Sequence, residues 1–202
     1  LLVRPLSEAL VEIGDKKAIG PLEELLSGQN SWHRELGIKA LVRMGDASIV
    51  EHLRELLNDP DADVRSAAAW GMAKFGVEDG YKVAIECIEI SDRAGARWNA
   101  IETLALIGNR EAVPYLVKAM ETDGNMAAEA LTKMIGEEAT PIFVNGLAHE
   151  RWWVRKASAK ELGKIGSERE IPHLEKLLND EYYEVRRAAM ESIEQIRTVG
   201  IR

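Results

Sequence analysis

The chain has 202 residues, 46% of them hydrophobic and 30% charged, with only 6 prolines, which excludes a disordered tail and a collagen-like or proline-rich chain. Its 1 cysteine excludes an internal disulfide framework and a cysteine-rich zinc module. A balance of 26 basic against 34 acidic residues, net −8, argues against nucleic acid as a partner unless one face is locally basic, because such binding rests on neutralising phosphates. No apolar run approaches the roughly 20 residues that span a bilayer, and no secretory signal is visible, so no membrane partner and a cytoplasmic location are expected. The aromatic set holds 4 Tyr and 2 Phe but 5 Trp, a bias that an aliphatic core does not need.

Self-similarity sets the frame for the elements. Hydrophobic segments end in Ile13-Gly14, Met44-Gly45, Phe75-Gly76, Ile107-Gly108, Ile135-Gly136 and Ile165-Gly166, with glycine spacings of 31, 31, 32, 28 and 30. The predicted units are 1–14 (partial), 15–45, 46–76, 77–108, 109–136, 137–166 and 167–202, about six and a half copies of a 31-residue repeat. In each, a short polar turn such as Asp15-Lys16-Lys17 leads into a first helix whose apolar residues recur at three and four, as in Ala18 to Leu26. Pro21, Pro114, Pro141 and Pro172 fall near the start of that helix, where a missing N–H is tolerated. A second turn, clearest in Asn58-Asp59-Pro60-Asp61, precedes a second helix such as Val64 to Phe75, and the following glycine suits a left-handed cap. Small residues inside it (Ala67-Ala68, Ala127-Ala128, Ala157-Ser158, Ala188-Ala189) leave room for close approach. No sustained period-two alternation predicts a strand.

The pattern Asp-x-x-x-x-Val-Arg-x-Ala-Ala, best kept in Asp59 to Gly76, Glu150 to Gly166 and Asp180 to Ile196, resembles the HEAT-like repeat named after the phycobilisome lyases. The resemblance covers nearly the whole chain and implies an all-α, right-handed α-solenoid, one domain over 1–202. It implies little about activity, because the same repeat serves many unrelated settings.

Within that frame Arg34, Arg65, Arg97, Arg155 and Arg186 stand eleven residues before each final glycine or its equivalent. They read as a structural ladder tying each inter-helix turn to its second helix, with Asp59 placed for Arg65 and Asp180 for Arg186. Cys87 falls in the column of Leu25, Leu56 and Leu177, a core position unsuited to a nucleophile. His33, His52, His149 and His173 do not converge, so no metal or other cofactor is expected. The chain carries one His-Glu pair, His149-Glu150, so its likeness to the HEAT-like iron enzyme deoxyhypusine hydroxylase stops at the fold.

The second helices of stacked pairs line the concave side, and their non-core stripe carries whatever specificity the protein has. Trp32, Trp70, Trp98, Trp152 and Trp153 all fall on that stripe or its leading edge. Together with Lys39, Lys74, Glu102, Lys133 and the row Lys156, Lys160 and Lys164, they predict a partner-binding groove of near-neutral charge. The expected function is a non-catalytic scaffold that binds a protein or peptide segment. The alternative is a tetrapyrrole-binding protein or bilin lyase-like subunit, in which aromatic walls and a few cations hold a flat dicarboxylate. An N-terminal end without a first helix points to missing sequence or to self-association there.

Overall fold

The computed structural model describes residues 16–199, and all regular structure among them is helical. The N-terminal partial unit, and the self-association expected of it, lie outside the described residues. The chain divides into two compact units, Leu1–Ile107 and Gly108–Arg202, and the division falls one residue from an expected repeat boundary.

In the first unit the helices are α1 (Ile19–Leu26), α2 (Ser31–Met44), α3 (Val50–Leu56), α4 (Ala62–Lys74), α5 (Tyr81–Ile90) and α6 (Ala94–Ile107). Each odd helix packs against the even helix that follows it, and α4 packs against both α2 and α6. Every polar turn after a repeat glycine is a short 3-10 turn, such as Lys16–Ala18 or Ala47–Ile49, rather than plain loop. The carboxamide of Asn30 and the carboxylate of Asp61 accept from the backbone N–H two residues on, each at 2.9 Å, and so start α2 and α4. Gly45 and Gly76, with φ of 74° and 75°, close the same helices in the left-handed region where a side chain would be strained. Between the helices Leu22, Ile38, Leu41, Leu53, Val64 and Met72 are fully or almost fully buried, and that burial is the main stabilising term.

The second unit holds α7 (Val113–Ile135), α8 (Thr140–Gly146), α9 (Trp152–Ile165), α10 (Ile171–Glu175) and α11 (Tyr183–Val199). Pro114, Pro141 and Pro172 occupy the first turns of α7, α8 and α10. The expected two-helix unit 109–136 differs, because α7 has no loop and is broken only at Asp123, whose φ of −125° and ψ of 46° are non-helical. Its glycine spacing of 28 leaves no length for a turn, so one kinked residue does the work of several. α9 packs between α7 and α11 and rests on α8, around Leu116, Leu131, Phe143, Leu162 and Leu174.

The arginine ladder joins repeats in a way the local pairing did not anticipate. Arg34 donates from Nη1 to the carbonyls of Gly28 (2.8 Å) and Gln29 (3.1 Å) in its own turn, and from Nε and Nη2 to the Asp59 carboxylate at 2.7 and 2.8 Å. Arg155 repeats the arrangement, with both turn carbonyls (His149, Glu150) at 2.9 Å and Asp180 at 2.7 and 2.9 Å. The carboxylate therefore comes from the next repeat, 25 residues downstream, and not from six residues upstream. One edge of the guanidinium satisfies its own turn and leaves the other edge free to reach forward in a bidentate pair. Arg65 and Arg186 use their own turn carbonyls, Asp59 O at 2.8 Å and Asp180 O at 2.6 Å, and Arg97 donates to Ser91 O at 3.2 Å.

Candidate functional site

The residues of the expected groove divide between the two units. In the first, Trp32 and Trp98 are the most open aromatic rings, 44% and 50% exposed. Trp32 tilts against His33 at 5.3 Å, while Trp70 packs against the core with the Lys74 ammonium 5.5 Å from its ring centre. The cations here are matched, since Lys39 pairs with Glu35 at 2.6 Å and Lys74 with Glu102 at 2.8 Å.

In the second unit the two adjacent tryptophans leave the helix about 100° apart, and their rings meet edge to face with centres 5.9 Å apart. Trp153 turns back to the preceding repeat, where its Nε1 donates to Glu121 O at 3.0 Å and its ring lies against Gly124 at the kink. Trp152 turns forward and stacks on Tyr182 with ring centres 5.6 Å apart and planes 19° from parallel. Cations complete the assembly: Lys156 stands 5.6 Å from the Trp152 ring, Arg155 5.7 Å from Tyr182, and Arg151 5.3 Å from Trp153. Sequence reasoning missed Tyr182 and Arg151 because both lie in turns, outside the helical stripe on which it counted.

The lysine row of α9 is not uniform. Lys164 is neutralised by Glu161 at 2.6 Å, a carboxylate only 4% exposed that also accepts from the Thr132 hydroxyl at 2.7 Å. Among the described residues Lys133, Lys156 and Lys160 have no carboxylate within ion-pair distance. Lys133 follows Thr132 in α7, so the Thr132–Glu161 bond brings its helical turn against α9. Two neighbouring helices thus carry cations without a carboxylate partner, and one of these, Lys156, lies against the Trp152 ring of the Trp152–Tyr182 stack.

A cavity of about 480 Å3 opens between the first half of α7, α8 and the start of α9. Val117, Met120, Ile142 and Val154 make it apolar, and Lys118, Asn145 and His149 line it with donors. The expected groove does not include it. In the first unit Cys87 is 2% exposed, and burial pushes its thiol up to about 11, far from the range of a nucleophile. Among the described residues no group of three or more His, Cys, Asp and Glu is placed to hold a metal ion, and no helix is long and apolar enough to cross a membrane.

The family described as HEAT repeats matches residues 6–70, 50–126 and 125–194. The bilin biosynthesis protein PecE of Mastigocladus laminosus is 31% identical over 112 residues, 55% of this chain and 42% of that protein. The phycocyanobilin lyase subunit alpha of Picosynechococcus sp. is 25% identical over 173 residues, 74% of this chain and 65% of that protein. The matches thus span about two fifths to two thirds of the length of these curated relatives. Among solved structures, YibA of Escherichia coli superposes with a TM-score of 0.61 at 18% identity, covering 96% of this chain and 77% of that one. The complex of CpcE and CpcF of phycocyanin lyase from Nostoc sp. PCC7120 gives a TM-score of 0.53 at 19% identity, covering 94% and 87%. At these identities the two structures show the fold alone. The curated relatives overturn the expectation of a chain without enzymatic association, because both carry names from bilin chemistry and one is a lyase subunit. That expectation rested on the lack of a catalytic signature, and a repeat of this kind can contribute to a reaction through binding surfaces that no short motif marks.

Proposed function

This chain belongs to the HEAT repeat family, and on that premise we propose that it serves as a subunit of a bilin lyase-type assembly, holding a linear tetrapyrrole against α9. The carrying observation is the set Lys133, Lys156 and Lys160 on α7 and α9, cations without carboxylate partners among the described residues, of which Lys156 lies against the Trp152–Tyr182 stack. A tetrapyrrole is a conjugated, largely flat molecule with two propionate carboxylates, so it needs cations at a fixed separation next to an apolar or aromatic wall. Lys156 and Lys160, one helical turn apart, can each meet a carboxylate, and Lys133 approaches from α7. Lys164 is not in this set, since Glu161 already holds it.

The assembly includes a protein partner, as does the CpcE–CpcF complex for those proteins. The open rings of Trp32 and Trp98 are the surfaces best suited to anchor it, because exposed tryptophans are costly unless a partner covers them. Titrating biliverdin or phycocyanobilin into the protein tests the ligand. A saturable absorbance shift with induced circular dichroism is expected, and Lys156→Glu with Lys160→Glu should weaken it by about tenfold or more. A spectrum identical to free bilin at all protein concentrations refutes the reading.

A further inference from the structure

Departures from the repeat pattern gather around the α7–α8 cavity, which Gly146 and His149 line. Gly146 stands in the column occupied elsewhere by Leu25, Leu56, Cys87 and Leu177, so the side chain that elsewhere packs between the two helices of a repeat is missing there. His149 stands where Asp59 and Asp180 stand, and the ladder arginine that would have reached it from the preceding repeat is replaced by Asn125. The inter-repeat clamp seen at Arg34–Asp59 and Arg155–Asp180 is therefore absent at the same junction that carries the cavity. Behind Gly146 the Ser158 hydroxyl, in a column of alanines (Ala68, Ala100, Ala128, Ala189), is fully buried without a hydrogen-bond partner and occupies the place of a Cβ at residue 146. A packed repeat has no need of a glycine, a histidine and an orphan hydroxyl together, and such local violations are expected where a site has been built.

We propose that this cavity is a second ligand site, separate from the lysine strip of α9, and that it takes an apolar carboxylate of medium chain length. Its volume of about 480 Å3 lies in the range of small-molecule sites. Val117, Met120, Ile142 and Val154 receive the apolar body. His149 Nδ1 accepts from the Arg151 N–H at 3.1 Å, which leaves the Nε2–H of the neutral ring as a donor. Lys118 has no carboxylate within ion-pair distance among the described residues, so it supplies the positive charge that a carboxylate matches, and His149 adds a hydrogen-bond donor. Glu121, three residues along the same helix, is the one acidic side chain lining the cavity and opposes that match.

Laurate is the probe, titrated into the whole chain by isothermal calorimetry with methyl laurate and dodecylamine as controls. One-to-one binding of laurate is expected, several-fold weaker with Lys118→Gln and stronger with Glu121→Gln. The double variant Gly146→Leu with Ser158→Ala restores the repeat's own leucine and alanine, fills the cavity and should abolish laurate binding while leaving the bilin titration unchanged. Val117→Trp fills the same space from α7 and serves if the double variant does not fold. No laurate binding, equal binding by a cavity-filled variant that is folded, or equal affinity for the methyl ester or the amine overturns the proposal.

Discussion

Truncating Arg155 to alanine tests how the repeats are held together. The guanidinium makes four hydrogen bonds, two to turn carbonyls and two to Asp180, and the paired side chains are only 10% and 7% exposed. Breaking a buried pair from one side costs about 3–5 kcal/mol, because the remaining charge keeps its desolvation without its partner. This pair keeps one edge near the surface, so we expect about 2–4 kcal/mol. Arg65 is the internal control, since it makes only the two carbonyl bonds and its removal should cost about 1–2 kcal/mol. Urea unfolding followed by circular dichroism, with the slope checked for each variant, reads both. If Arg155→Ala costs no more than Arg65→Ala, the forward pair does not couple the repeats and the ladder acts only within each turn.

Further outcomes follow from the same geometry. The Arg155 hydrogen bond holds the Asp180 carboxyl below its ordinary value of 3.8, so its contribution is present above that value and is lost as pH falls through the lowered one. The stability gap between wild type and Asp180→Asn should therefore shrink on acidification below about pH 4, and a constant gap would show that the charge does not matter. Cys87 should resist a thiol reagent in the native protein and react only after unfolding; rapid labelling at pH 8 would contradict its burial. Gly146→Ala forces a Cβ onto the Ser158 hydroxyl and should destabilise by about 1–3 kcal/mol, and Ser158→Ala in the same chain should recover most of it. Failure of that rescue would place the cost elsewhere than in this contact.

The repeat frame was legible because it is written in residue types with few alternatives. Glycine closes α2 and α4 in a left-handed cap, proline opens α7, α8 and α10, and Asn30 and Asp61 start α2 and α4, so these boundaries could be read locally. What crosses between repeats was not legible in the same way. Arg34 and Asp59 are 25 residues apart, and Asp59 also lies six residues from Arg65, so proximity in sequence favoured the wrong partner. The turn lost from α7 was foreshadowed by the 28-residue spacing, although the spacing alone does not say which turn closes up. At the candidate site the tryptophans and lysines could be placed on helices, but not the stacking of Trp152 on Tyr182 or the neutralisation of Lys164 by Glu161. The cavity had a readable signal in Gly146, a gap in a leucine column, which gains meaning only once the neighbouring Ser158 is seen behind it.

Hydrogen exchange of the protein with and without a bound bilin locates the ligand most directly. Slowed exchange is expected in Trp152–Ile165 and the last turns of α7, with little change in α3 and α5. Protection confined to the first unit, or none at a saturating bilin concentration, would contradict this placement.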